Sequence, residues 1–157
     1  MTTNLNNAHG NKWMAVFQGM EGLTFKIISA VIPSASAGVS ELGGSENVSL
    51  VVPGDHVVLD DLSFDFLIDE DFRNYEELYE WLLACTTENE PTLRDLSIHL
   101  LDTNGNLRGL RIDFTNAWPV VLTGFLFDIE NLTSDLQSSV QIKYERMKFA
   151  RSDVELA

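Results

Sequence analysis

The sequence is poor in cations: its 157 residues hold 10 Lys and Arg against 24 Asp and Glu, a formal net charge of −14. Non-specific binding to nucleic acid or to an anionic membrane surface needs clustered Lys and Arg, so that class of function is disfavoured. There is 1 cysteine, Cys85, which excludes an internal disulfide. Long apolar runs are missing. A stretch such as Ile27-Ile28-Ser29-Ala30-Val31-Ile32 falls far short of the ~20 residues of a membrane-spanning helix. The opening MTTNLNNAHG has neither a basic nor an apolar region and does not read as a signal peptide. An intracellular or assembly-embedded protein is the expectation. Catalytic signatures are missing too, with no Gly-rich phosphate loop, no GxSxG and no HExxH.

What is present is ample apolar material, 45% of the residues, in a chain of single-domain length. The expected organisation is a flexible N-terminal arm over 1–11, one domain over 12–150 and a polar tail over 151–157. Lys12–Phe17 and Leu23–Ile28 are rich in β-branched and aromatic residues and are parted by Gly19 and Gly22, the pattern of a β-hairpin. Pro33–Asn47 is small-residue and Gly/Ser-rich and reads as a long connection, of the kind that is either functional or ordered by a partner. Val48–Val52 reads as a strand closed by a turn at Pro53-Gly54-Asp55. Leu62–Asp69 alternates, with Leu62, Phe64, Phe66 and Ile68 on one face.

A helix follows, capped by Asp69 or Asp71, with an apolar stripe of Phe72, Tyr75, Leu78, Tyr79 and Leu82 that Trp81 extends. It stops near Thr86–Pro91. Leu96–Leu101 and Leu107–Thr115 flank Asp102-Thr103-Asn104-Gly105-Asn106, and Asn-Gly between apolar runs signals a hairpin. Ala117–Phe127 reads as a further strand and Ser138–Phe149 as one long final strand. The fold class this implies is mainly β: an antiparallel β-sandwich or barrel with one flanking α-helix.

No residue is assigned a catalytic, cofactor-binding or metal-ligating role. His9, His56 and His99 are dispersed. Cys85 reads as a buried, inert thiol. Asp69-Glu70-Asp71 suits the positive end of the helix dipole without invoking a cation, and the Asp102–Asn106 stretch lacks the glycine and the bidentate glutamate of a calcium loop. The charge is uneven. Between Asp60 and Glu90 lie 11 acids and 1 base, Arg73, whereas Lys143, Arg146, Lys148 and Arg151 face a single acid, Glu145, in the C-terminal stretch. That asymmetry suits self-association.

The block Asp60-Asp61-Leu62-Ser63-Phe64-Asp65-Phe66-Leu67-Ile68-Asp69-Glu70-Asp71-Phe72-Arg73-Asn74-Tyr75, followed by Trp81, resembles a recurring block of the tail-tube and baseplate tube-initiator proteins of contractile-tailed bacteriophages, which are related to type VI secretion tubes. The order of elements downstream, through Trp118-Pro119 to the long terminal strand, resembles that family as well. The resemblance implies a homo-hexameric ring that stacks into a hollow tube in the virion's tail, assembled in the host cytoplasm. Its neighbours would be tube, sheath or baseplate proteins, and DNA would pass through the lumen without specific binding. It also implies that the Pro33–Asn47 connection contacts the adjacent ring. The candidate interface residues are therefore Ser36, Gly38, Ser40, Leu42 and Gly43 of that connection, the bases Lys143, Arg146, Lys148 and Arg151, and the acids Asp69, Glu70 and Asp71. The competing reading is an acidic DNA-mimic inhibitor of a DNA-binding protein, which the net charge fits and the basic C-terminal strand opposes.

Overall fold

The computed structural model describes residues 10–20, 27–43, 50–87, 89–102, 104–131 and 135–151. Most of the expected arm and tail, residues 1–9 and 152–157, lie outside the described residues. The elements run β1 (Trp13–Phe17), β2 (Ile27–Val31), β3 (Ala35–Leu42), β4 (Leu50–Leu59), β5 (Leu62–Leu67), α1 (Arg73–Thr87), β6 (Arg94–Leu101), β7 (Leu107–Leu122), β8 (Gln137–Lys143) and β9 (Arg146–Arg151). The protein is mainly β, with antiparallel sheets and one helix among the described residues.

The organising element is β7, a strand of 16 residues. Its first half pairs with β6 on one side and with β9 on the other, and its second half pairs with β8. Two layers result, β9-β7-β6-β1 and β7-β8-β5-β2, joined by the strand they share. The strand turns from one layer to the other at Asn116, whose φ of 52° is left-handed. Asp95 Oδ1 accepts the Asn116 N–H at 3.1 Å, and the Glu145 carboxylate accepts its side-chain amide. Pro119 follows, with a register shift between it and Val121. A bulge is where a strand tolerates a residue that cannot donate.

The core lies between the layers. Phe17 of β1 meets Phe64 of β5 edge-on at 5.1 Å, and Leu62, Phe66, Leu96, Ile98, Phe114, Val140 and Ile142 complete it with Leu78 and Trp81 of α1. The alternation read for Leu62–Asp69 holds, with Leu62, Phe64 and Phe66 buried and Ile68 packed against the cluster. The Asn-Gly hairpin is present as well. Asp102 Oδ1 accepts the N–H groups of Asn104 and Asn106 at 2.8 and 2.9 Å, and Gly105 takes a φ of 85°.

Several expectations fail on pairing. β1 pairs with β6 and β2 with β5, so the first two strand segments do not form a hairpin with each other; residues 21–26 lie outside the described residues. The Pro33–Asn47 connection contains an 8-residue strand, β3, and β4 runs straight through Pro53-Gly54-Asp55 instead of turning there. β7 ends at Leu122, so Thr115 and Ala117 belong to one strand and residues 123–127 to none. The final strand is two strands, broken at Tyr144–Glu145, because β8 and β9 pair with different halves of β7.

The helix is rotated from the expected stripe. Its buried residues are Asn74, Leu78 and Trp81, while Tyr79 is 49% exposed and Leu82 half-buried. Anchors at its start and at its middle set that rotation. Asn74 Oδ1 accepts from Asp69 N–H (3.0 Å) and Tyr75 N–H (2.8 Å), and its Nδ2 donates to Leu67 O at 2.7 Å. Trp81 Nε1 donates to Thr92 O at 2.8 Å. Asn74→Ala should therefore cost about 2–3 kcal/mol, since it strands buried backbone groups at the strand–helix joint. Urea unfolding measures this, and a loss within experimental error would show that water replaces the amide.

Candidate assembly interface

Among the described residues β3 and β4 pair with each other and with no other strand, a two-stranded ribbon standing off the main sheet. In the ladder Ala37 lies opposite Val57, Val39 opposite Pro53 and Glu41 opposite Val51. Partners in an antiparallel ladder share a face. One face of the ribbon is therefore largely apolar: Ala35, Ala37, Val39, Val51, Pro53, Val57 and Leu59, with the acids Glu41 and Asp55 in the same alternation. Val39 is 67% exposed and Val57 64%. The register shifts between Ala37 and Val39, where the strands cross closely at two glycines. A Cβ on Gly54 would stand 2.5 Å from Gly38 O, so no side chain fits there without moving backbone.

The ribbon is tied down at its base. Asp60 N–H donates to Ser34 O at 3.0 Å, Ser34 Oγ donates to the Asp60 carboxylate, and Tyr144 Oη donates to Asp60 O at 2.8 Å. A cleft of about 300 Å³ opens there between Val57, Leu59, Asp60, Asp61, Trp118 and Lys143, with Lys143 Nζ 3.7 Å from Asp61. Burial, and then the Asp61 and Asp60 carboxylates, hold the Tyr144 phenol above its ordinary value of 10.0. The folded protein thus keeps this proton more tightly than the unfolded chain. Its contribution to stability is intact below that ordinary value and fades as pH rises through the raised one. Ultraviolet titration should show a late-ionising phenol that is lost in Tyr144→Phe; an unchanged titration curve would place Tyr144 in solvent.

Of the candidate residues, Ser36, Gly38, Ser40 and Leu42 lie on β3, with Gly43 just beyond it. Lys143 ends β8, while Arg146, Lys148 and Arg151 lie on β9, whose outer edge is unpaired among the described residues. Asp71 approaches the helix start, with its Oδ1 3.5 Å from Arg73 N and its Oδ2 3.0 Å from Arg73 Nε. Asp69 meets the joint through its backbone N–H. Glu70, Asp71, Glu76, Glu77 and Glu80 are all exposed, which makes the outer face of α1 acidic. The outward positions of β5 and β8 are mostly neutral: Ser63, Leu67, Gln137, Ser139 and Gln141 beside Asp65 and Lys143. Among the described residues no group of three or more His, Cys, Asp or Glu comes together as a metal site. Cys85 is half-buried rather than buried, and its Sγ donates to Thr92 O at 3.2 Å.

No protein-family model matches the sequence, and no curated protein matches it. Solved structures do match. A chain of the sheath–tube complex of PVC, an extracellular contractile injection system in its extended state, is similar at TM-score 0.73 and 16% identity over 94% of both chains. The tube-terminating cap of the anti-feeding prophage is similar at TM-score 0.73 and 14% identity, over 97% of this chain and 96% of that one. The fold is the tail-tube fold. Hcp1 of the E. coli EAEC 042 pathovar shares it at TM-score 0.54 and 13% identity, over 90% of this chain and 92% of that one. At such identities what the tail-tube fold preserves is backbone arrangement.

The apolar face of the ribbon and the aromatic segment after β7 were missed by reasoning from the sequence. For the ribbon the signal was present, because Val48–Val52 and Val57-Val58-Leu59 read together as one long β run once Pro53-Gly54 is allowed to be a bulge.

Proposed function

We propose that this protein is a structural subunit of a contractile tail. Copies close into six-membered rings, and rings stack into a hollow tube, as the bulk tube or as its baseplate-end or head-end ring. DNA passes through the lumen without specific binding. Neighbouring tube, sheath or baseplate proteins complete the tail, which is assembled in the host cytoplasm and carried in the virion. The role is structural rather than enzymatic.

The observation that carries this reading is the ribbon. A lone two-stranded ribbon is marginal in water, and among the described residues Val39 and Val57 stay largely exposed. A neighbouring ring supplies that cover. Ring closure likewise pairs the open edges of β1, β2 and β9, which would otherwise invite aggregation. The tail-tube fold supports the same conclusion. Of the 24 acids 11 lie between Asp60 and Glu90, on the strand–helix block, so the net charge of −14 is no evidence for a negative lumen wall.

Negative-stain microscopy of the purified full chain tests the proposal: rings or stacked filaments are expected. A monomer that blocks a DNA-binding protein at low salt would overturn it in favour of a DNA mimic.

A further inference from the structure

After β7 the chain runs through Thr123-Gly124-Phe125-Leu126-Phe127-Asp128-Ile129-Glu130 without joining a sheet. Phe125 and Phe127 pack on Phe72 at 5.7 and 5.9 Å and on each other at 5.1 Å, while Tyr75 meets Phe125 at 5.0 Å. The aromatic cluster holds the segment in place and leaves Leu126 and Ile129 in solvent, with Ile129 94% exposed. The segment itself carries Asp128 and Glu130, Asp135 lines the same cavity as Phe125, Leu126 and Phe127, and Arg73, next in sequence to Phe72, is already engaged by Asp71 at 3.0 Å.

β9 carries the opposite character. It reads Arg146-Met147-Lys148-Phe149-Ala150-Arg151, with an unpaired outer edge and with Phe149 59% exposed. Among the described residues, none of Arg146, Lys148 and Arg151 forms an ion pair. Asp113, opposite Lys148 in the ladder, is taken by Arg111 Nε at 3.1 Å.

We propose that β9 of one subunit docks on the Phe125–Glu130 segment of a second copy of this chain. Phe149 covers Ile129 and Leu126, and Arg146 and Lys148 meet Asp128 and Glu130. The inference rests on the ring reading above and names the contact that joins neighbours. Within one chain, among the described residues, no ring contact or ion pair joins β9 to the Phe125–Glu130 segment. The complementary surfaces therefore serve two different neighbours, one on each side. Such a head-to-tail contact closes into a ring when its rotation permits. The apolar contact supplies affinity, while the charges set register and association rate.

Two measurements on the full chain test this. In a Cys85→Ser background, Ile129→Cys with Phe149→Cys is treated with a short bis-maleimide. A covalent ladder up to the ring size is expected, and neither single variant should pass dimer. Separately, Arg146→Glu with Lys148→Glu should slow ring formation about tenfold at low salt, the loss of two modest pairs, and added salt should narrow the gap. Adding Asp128→Lys and Glu130→Lys should restore the rate. Wild-type rings with no ladder, or a quadruple variant as slow as the double, would overturn this contact while leaving the ring reading standing. A wild-type chain that forms no rings would overturn both.

Discussion

Replacing Phe66 by alanine is expected to lower the unfolding free energy by about 3–5 kcal/mol. The side chain is 0% exposed and sits one residue from the end of β5, between β2 and β8. The core residues that would have to relax into the void are themselves buried: Phe64 and Val140 of the same layer and Leu78 of α1. Close-packed surroundings of this kind collapse only partly, so a cavity term adds to the lost transfer free energy. Chemical denaturation of monomeric protein is the suitable measurement, because assembly would otherwise contribute by mass action. A loss below about 1 kcal/mol would mean that the buried face of β5 has been misassigned.

The second large effect concerns assembly rather than stability. Val39→Asp combined with Val57→Asp places two charges on the apolar face of the ribbon, at sites exposed in the isolated subunit. Exposed substitutions of this kind shift monomer stability by about 0.5 kcal/mol or less. Burying unpaired carboxylates against a second subunit is far more costly. The expected outcome is a folded subunit with wild-type circular dichroism whose rings do not stack. Filaments of normal length would show that this face stays in solvent and that stacking uses another surface.

How much was legible beforehand follows from which interactions are local. The Leu62–Leu67 alternation, the helix that follows and the Asn-Gly hairpin were readable because strand period, helix start and turn chemistry are written in adjacent residues. Cys85, Tyr79 and Leu82 were placed too deep, because helix rotation is set by two distant hydrogen-bonding anchors, Asn74 to Leu67 and Trp81 to Thr92. The burial of Asn74 was not legible, because it depends on a carbonyl 7 positions away.

By itself the sequence determined the strand-rich class, the core of β5, the charge asymmetry and the resemblance to tail-tube proteins, since each resides in composition or in short-range pattern. Only the tertiary structure decided strand partnership. Whether β1 pairs with its neighbour in sequence or with β6 is a contest between ladders of similar local propensity, settled by which arrangement closes one core. The same holds for the break between β8 and β9, imposed by the bend of β7 at Asn116, and for the ribbon. Its valines look like core residues in any window of sequence. They are exposed because Pro33 and Asp60, where the chain leaves and rejoins the main sheet, carry β3 and β4 away from the layers they would otherwise have joined.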